Sequence, residues 1–113
     1  MNKNIKDTDL DEIENWLASI RPPEEIRPKL DYTYLIERNT FILCEVRPNY
    51  RTMKDWKKIP FAKIHYSKSR DIYKIYWQRA SLKWESYDPV KETSSLYKAL
   101  KVINDDVYGC FYG

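Results

Sequence analysis

The sequence predicts an α+β domain, a five-stranded antiparallel sheet flanked by an N-terminal and a C-terminal helix packed on one face. Two observations carry this. Apolar residues recur at helical spacing near the two ends of the chain, and period-two alternation separated by short polar turns fills the middle. A third bounds it: 113 residues with 42% hydrophobic content suit one core, so residues 1–113 are expected to form a single domain.

Residues 1–8 are expected to be a disordered lead. Asp9 then reads as a helix cap with Glu12 at the capping-box position, and acidic residues crowd the first turn. Leu10, Ile13, Leu17 and Ile20 follow helical spacing with Trp16 beside the stripe. Pro22 and Pro23 stop this helix near Arg21 and open a connector that reaches Pro28.

Strands are predicted at 30–37 and 41–47, joined by Arg38-Asn39-Thr40. Pairing Leu30 with Pro48, Tyr32 with Val46, Tyr34 with Cys44 and Ile36 with Ile42 gives one apolar face. The other face then sets Asp31 opposite Arg47, Thr33 opposite Glu45 and Leu35 opposite Leu43. Residues 48–58 read as a long basic loop, of a length often associated with function.

The next hairpin spans 59–67 and 72–79. Its core face pairs Ala62, Ile64 and Tyr66 with Trp77, Ile75 and Tyr73, and its open face pairs Lys63 with Tyr76 and His65 with Lys74. A fifth strand at 82–87 folds back through Ala80-Ser81, placing Trp84 opposite Trp77 in the core and Tyr87 and Glu85 outside. Pro89 ends the sheet. Ser94 or Ser95 caps a last helix with the stripe Leu96, Leu100, Ile103 and Val107. Asp105 and Asp106 oppose the negative end of the helix dipole, so regular helix is expected to stop near Asn104. The aromatic tail Tyr108–Gly113 is expected to pack down.

The net charge of +3 hides an asymmetry. Residues 1–50 carry 7 basic and 10 acidic side chains, residues 51–83 carry 10 and 2, and residues 84–113 carry 3 and 5. A basic middle between acidic ends points to an anionic partner. No apolar run is long enough to span a bilayer and the first residues lack the pattern of a secretion signal, so a cytoplasmic protein without a membrane partner is expected. Cys44 lies in an apolar run and Cys110 in the tail. With His65 the lone histidine, no zinc-ligand spacing exists, and no metal or cofactor is called for. Free thiols fit that setting better than a Cys44–Cys110 disulfide.

Arg21-Pro22-Pro23-Glu24, Glu45-Val46-Arg47-Pro48, Ile75-Tyr76-Trp77-Gln78-Arg79-Ala80-Ser81-Leu82-Lys83-Trp84 and Tyr108-Gly109-Cys110-Phe111-Tyr112-Gly113 resemble domain-of-unknown-function family 3024. The likeness runs from about Arg21 to the end of the chain. It implies a small stand-alone bacterial or phage protein and brings no catalytic residue with it.

Three functions fit these residues. In the first, a non-catalytic module binds nucleic acid, single strands above all. Lys63, His65, Lys74, Tyr76, Lys83 and Tyr87 share the open face, and Arg51, Lys54, Trp56, Lys57 and Lys58 line the adjoining loop. Cations neutralise phosphates and exposed aromatics stack on unpaired bases. The same residues also suit a solvated sheet face, and Glu45 and Glu85 dilute its charge. In the second, a protein-interaction module anchors an inhibitor or subunit contact on Tyr50, Trp56, Tyr76 and Arg79. A homodimer in which a second copy covers the open sheet face would bury those aromatics and remove most of the support for the first reading. In the third, Asp31, Glu45 and Arg47 mimic the acidic pair and cation of a Mg²⁺-dependent nuclease. Arginine is a poor proton-transfer group there, and a cross-strand Asp31–Arg47 ion pair explains the same residues without catalysis.

Overall fold

A computed structural model describes residues 5–49, 51–52 and 55–112. The element order is α1 (Asp7–Ile20), β1 (Asp31–Glu37), β2 (Thr40–Pro48), β3 (Trp56–Ser67), β4 (Ile72–Gln78), β5 (Trp84–Ser86), β6 (Glu92–Thr93) and α2 (Leu96–Asp105). The sheet runs β1-β2-β3-β4-β5, and a sixth strand, β6, adds to β4 beside β5. The pairs are antiparallel throughout. The expected α+β architecture holds, with one short strand more than the sequence suggested.

Both helices cover the same sheet face. Ile13 and Trp16 of α1 and Leu96, Ala99, Leu100 and Ile103 of α2 pack on Phe41, Leu43, Ala62, Ile64, Tyr66, Tyr73 and Ile75. Trp16 lies in the middle of the contact, and its indole N–H donates to Asn104 Oδ1 of α2 at 3.0 Å. Within the expected lead, Ile5 is buried in the core and α1 begins at Asp7; residues 1–4 lie outside the described residues.

Asp9 does not cap α1. Lys6 holds that position without a side-chain bond, while the Asp9 carboxylate is buried and accepts the Tyr73 hydroxyl. Ser95 caps α2, accepting the Lys98 N–H at 3.2 Å. The end of α2 explains its aspartates. Asp106 adopts φ 39°, and its carboxylate accepts the N–H groups of Phe111 and Tyr112 at 3.0 and 2.8 Å. The acid therefore ties down the tail. Phe111 then enters the core against Tyr87 (centroids 4.9 Å apart), and Tyr112 packs at 5.1 Å from Phe61. Val107 is exposed and leaves the stripe; Ala99 takes its place.

The β3–β4 register follows the sequence pairing: Ala62 with Trp77, Ile64 with Ile75, Tyr66 with Tyr73, and on the other face Lys63 with Tyr76 and His65 with Lys74. Two other registers differ by one residue. In β1–β2, Tyr34 faces Leu43, Ile36 faces Phe41 and Tyr32 faces Glu45. The turn is the two-residue Arg38-Asn39, with Arg38 at φ 53°, rather than three residues. Phe41 and Leu43 thereby join the helix-covered core, and Ile42 and Cys44 turn to the open face. In β4–β5, Gln78 faces Trp84 and Trp77 faces Glu85. The connection is longer than Ala80-Ser81. Leu82 takes φ 70° within it, and the Arg79 N–H donates to the Lys83 carbonyl. Trp84 therefore leaves the core for the open face.

Strand β3 starts at Trp56, so Trp56, Lys57 and Lys58 pair with Pro48, Arg47 and Val46 instead of lying in a loop. A bulge opposite Leu43/Cys44 leaves Phe61 unpaired. It lets Phe61 and Ala62 both reach the core and sets Pro60 and Lys58 on the open side.

Candidate nucleic-acid interface

Among the described residues no helix packs on the second sheet face, and its surface is built by strand alternation. One row crosses it as Leu35, Ile42, Lys63, Tyr76 and Ser86. A second row runs Glu37, Thr40, His65, Lys74 and Glu92. Trp84, opposite Gln78, flanks the first row. Its ring carries the Lys63 ammonium at 4.5 Å from the centroid, a cation–π contact. Together Glu37, Thr40, Lys63, His65, Tyr76 and Trp84 line an open groove of about 330 Å³. That volume lies at the low end of the ~300–1,000 Å³ typical of small-ligand pockets.

Within the groove the Thr40 hydroxyl and His65 Nδ1 are 2.9 Å apart, which fixes the imidazole against β2. Glu92 is engaged by Arg70 at 3.2 Å at the rim. Towards the other end of the face, Lys58 and Trp56 extend the basic and aromatic character along β3. Trp56 is 55% exposed. It borders a second groove formed with Glu24, Arg27, Pro28, Asp31 and Val46.

The sequence-predicted residues thus divide. Trp56, Lys58, Lys63, His65, Lys74 and Tyr76 share the open face. Lys57 alternates to the helix side of β3. Lys83, next to Trp84, is likewise on the far side of the ribbon, with Arg79. Tyr87 is buried, 2% exposed, against Phe111. Each displacement follows from the one-residue changes of register and the earlier start of β3. Arg51 is exposed in the segment between β2 and β3; Lys54 and Tyr50 lie outside the described residues. Trp84 is the groove residue that the sequence pattern assigned to the core.

The same shifts remove two acids. Glu45 faces the helix side beside Tyr32 and pairs with Arg47 at 2.9 Å, and Glu85 faces the same side and pairs with Arg79 at 3.1 Å. Arg47 leaves the open face with Glu45, and Glu37 and Glu92 stay on it.

The nuclease arrangement does not assemble. Asp31 and Glu45 are offset by one in the β1–β2 ladder and point to opposite faces. Asp31 is held not by Arg47 but by Arg21, whose Nε and Nη2 donate at 2.9 and 2.6 Å. This bidentate pair holds the Asp31 carboxyl below the usual carboxylate range. Both cysteines are free thiols. Burial pushes each above its usual value, so neither is an activated nucleophile. Among the described residues no helix is long and apolar enough to cross a membrane.

The family model for a domain of unknown function, DUF3024, matches residues 1–113, the whole chain. No curated protein and no solved structure matches it.

Proposed function

From the premise that the chain belongs to the DUF3024 family, a family of unknown function, we propose that it is a non-catalytic module binding single-stranded nucleic acid across the open sheet face. The observation that carries this reading is the Lys63–Trp84 contact at the head of a groove shared with Tyr76 and His65. The Lys63 ammonium offers a phosphate contact, and the indole it sits against offers its other face for a base to stack on. Lys74 and Lys58 continue the positive charge along β4 and β3, and Trp56 offers a further ring. Unpaired bases suit such a face because each presents a flat π surface, which a duplex hides.

Fluorescence anisotropy with labelled single-stranded DNA, single-stranded RNA and duplex DNA over a salt series tests the reading. Binding to single strands that weakens steeply with salt, and exceeds binding to duplex, is the expected result. No binding at low salt overturns it and leaves the exposed Trp56 as the anchor of a protein contact.

A further inference from the structure

The two edges of the sheet are built differently. On one side β4 is bordered by two fragments, β5 of 3 residues and β6 of 2 residues, which present no continuous row of free backbone groups. On the other side β1 is an unbroken strand of 7 residues. Proline, lysine, bulges and short length are the usual devices that keep an edge from pairing with another chain. Between Tyr32 and Ile36, β1 has none of them. Instead it exposes Leu35 and Ile36, at 38% and 40%.

Which backbone groups are free follows from the hairpin. Glu37 and Thr40 close a two-residue turn, so they form a hydrogen-bonded pair, and Leu35, Thr33 and Asp31 repeat that bonding towards β2. Tyr32, Tyr34 and Ile36 therefore direct their N–H and C=O groups outward. The Tyr32 N–H is already taken by Asp31 Oδ1 at 2.8 Å. Among the described residues, Tyr34 and Ile36 make no backbone bond to any segment beyond β2.

We infer that β1 pairs antiparallel with β1 of a second copy of this chain, with Leu35 facing Leu35 across a two-fold axis perpendicular to the sheet. This register uses the free groups: Tyr34 and Ile36 of each copy exchange N–H···O bonds with Ile36 and Tyr34 of the other. The exposed leucines meet on the open face, and the exposed Ile36 meets Tyr34 on the helix side. Glu37 falls opposite Thr33, so no like charges are opposed. Centring on Tyr34 instead would set Asp31 against Glu37 and require the occupied Tyr32 N–H. Centring on Thr33 would also require that N–H and would set Asp31 against Leu35. Charge and hydrogen-bond supply thus favour the Leu35-centred register over those two. The interface is small, so the dimer forms reversibly with concentration. The two open faces lie on the same side of one continuous sheet, whether or not that face binds nucleic acid.

Sedimentation equilibrium over a wide concentration range tests the association, and cysteine cross-linking tests the register. The average mass is expected to rise from one chain towards two, and to stay at one chain for Leu35→Glu, with an unchanged far-ultraviolet spectrum showing that the variant is folded. In a Cys110→Ser background, Leu35→Cys is expected to cross-link under mild oxidation, because directly opposed non-hydrogen-bonded residues have the Cα spacing of a disulfide. Thr33→Cys is expected to remain uncross-linked. A mass of one chain at every concentration overturns the proposal. So does a dimer indifferent to Leu35→Glu, or cross-linking at Thr33→Cys that outruns Leu35→Cys.

Discussion

The Tyr73 hydroxyl on β4 donates to the carboxylate of Asp9 in the first turn of α1, a contact buried between helix and sheet. Among the described residues Asp9 is the one buried acidic or basic side chain, 8% exposed. The bond gives the acid its partner and fixes where α1 starts along the sheet. Tyr73→Phe keeps the ring's packing against Tyr66, 4.9 Å away, and removes the donor. A buried carboxylate left without that bond costs about 2 kcal/mol. Urea unfolding should show a lower midpoint with an unchanged m-value. An unchanged midpoint would mean that water replaces the hydroxyl and that the contact sets no register.

Burial and carboxylate neighbours together predict an alkaline limit to stability. Desolvation first, then the bond to Glu14, pushes Tyr34 up to about 12 from 10.0. Desolvation first, and then neighbouring oxygens, raises Tyr73 and Tyr112 further. The fold holds these phenols neutral more tightly than the unfolded chain does. Their contribution is therefore complete below pH 10.0, the unfolded value, and is lost as pH rises through the folded values. Absorbance at ~295 nm, which reports phenolate, should rise in two phases, the later one coinciding with loss of far-ultraviolet ellipticity. A single phase near the ordinary value, with the fold intact, would contradict the buried hydroxyl network.

The Arg21–Asp31 pair sets the opposite limit. Arg21 ends the first helix region and Asp31 opens β1, so their fork of hydrogen bonds closes the proline-rich connector. The folded state holds Asp31 below its ordinary 3.8, chiefly through the Arg21 bond. Stability from this pair is present above pH 3.8 and disappears as pH falls through the lower folded value. Asp31→Asn should be less stable than the parent at neutral pH and converge with it in strong acid. Thermal melts at a series of pH values decide this, and a constant gap down to the lowest pH would refute it.

What was legible in the sequence depended on how strongly one face of a strand differed from the other. In β3 and β4, polar Lys63, His65, Lys74 and Tyr76 alternate with Ala62, Ile64, Tyr73 and Ile75, and the pairing read from them is the one observed. In β2 the run Phe41-Ile42-Leu43-Cys44 is apolar on both faces, so patterning cannot choose a register. The choice falls to turn geometry, with Arg38 in the left-handed region. The β4–β5 turn is similarly controlled by Leu82 at φ 70°, a conformation that leucine does not announce. Because strands alternate, each slip of one residue exchanged whole sets of side chains. Trp84 was gained for the open face, while Lys83 and Tyr87 were lost from it. Strand β6, two residues long, is too short for periodicity to reveal.

That exchange gives the binding surface its sharpest test. Lys63 and Lys83 are both basic and close to Trp84, but Lys63 lies over its ring and Lys83 is on the other side of the ribbon. Lys63→Glu should weaken single-strand binding and reduce the slope of log affinity against log salt by about one phosphate contact or more. Trp84→Ala removes a stacking surface worth ~1–3 kcal/mol per base, about a 5- to 150-fold loss. Lys83→Glu makes the same charge change but should leave the affinity within a few-fold of the parent. Anisotropy titrations of the three variants, each first shown to melt like the parent, separate a localised site from a general attraction to positive charge. Equal losses for Lys63→Glu and Lys83→Glu, with none for Trp84→Ala, would place the binding outside the groove.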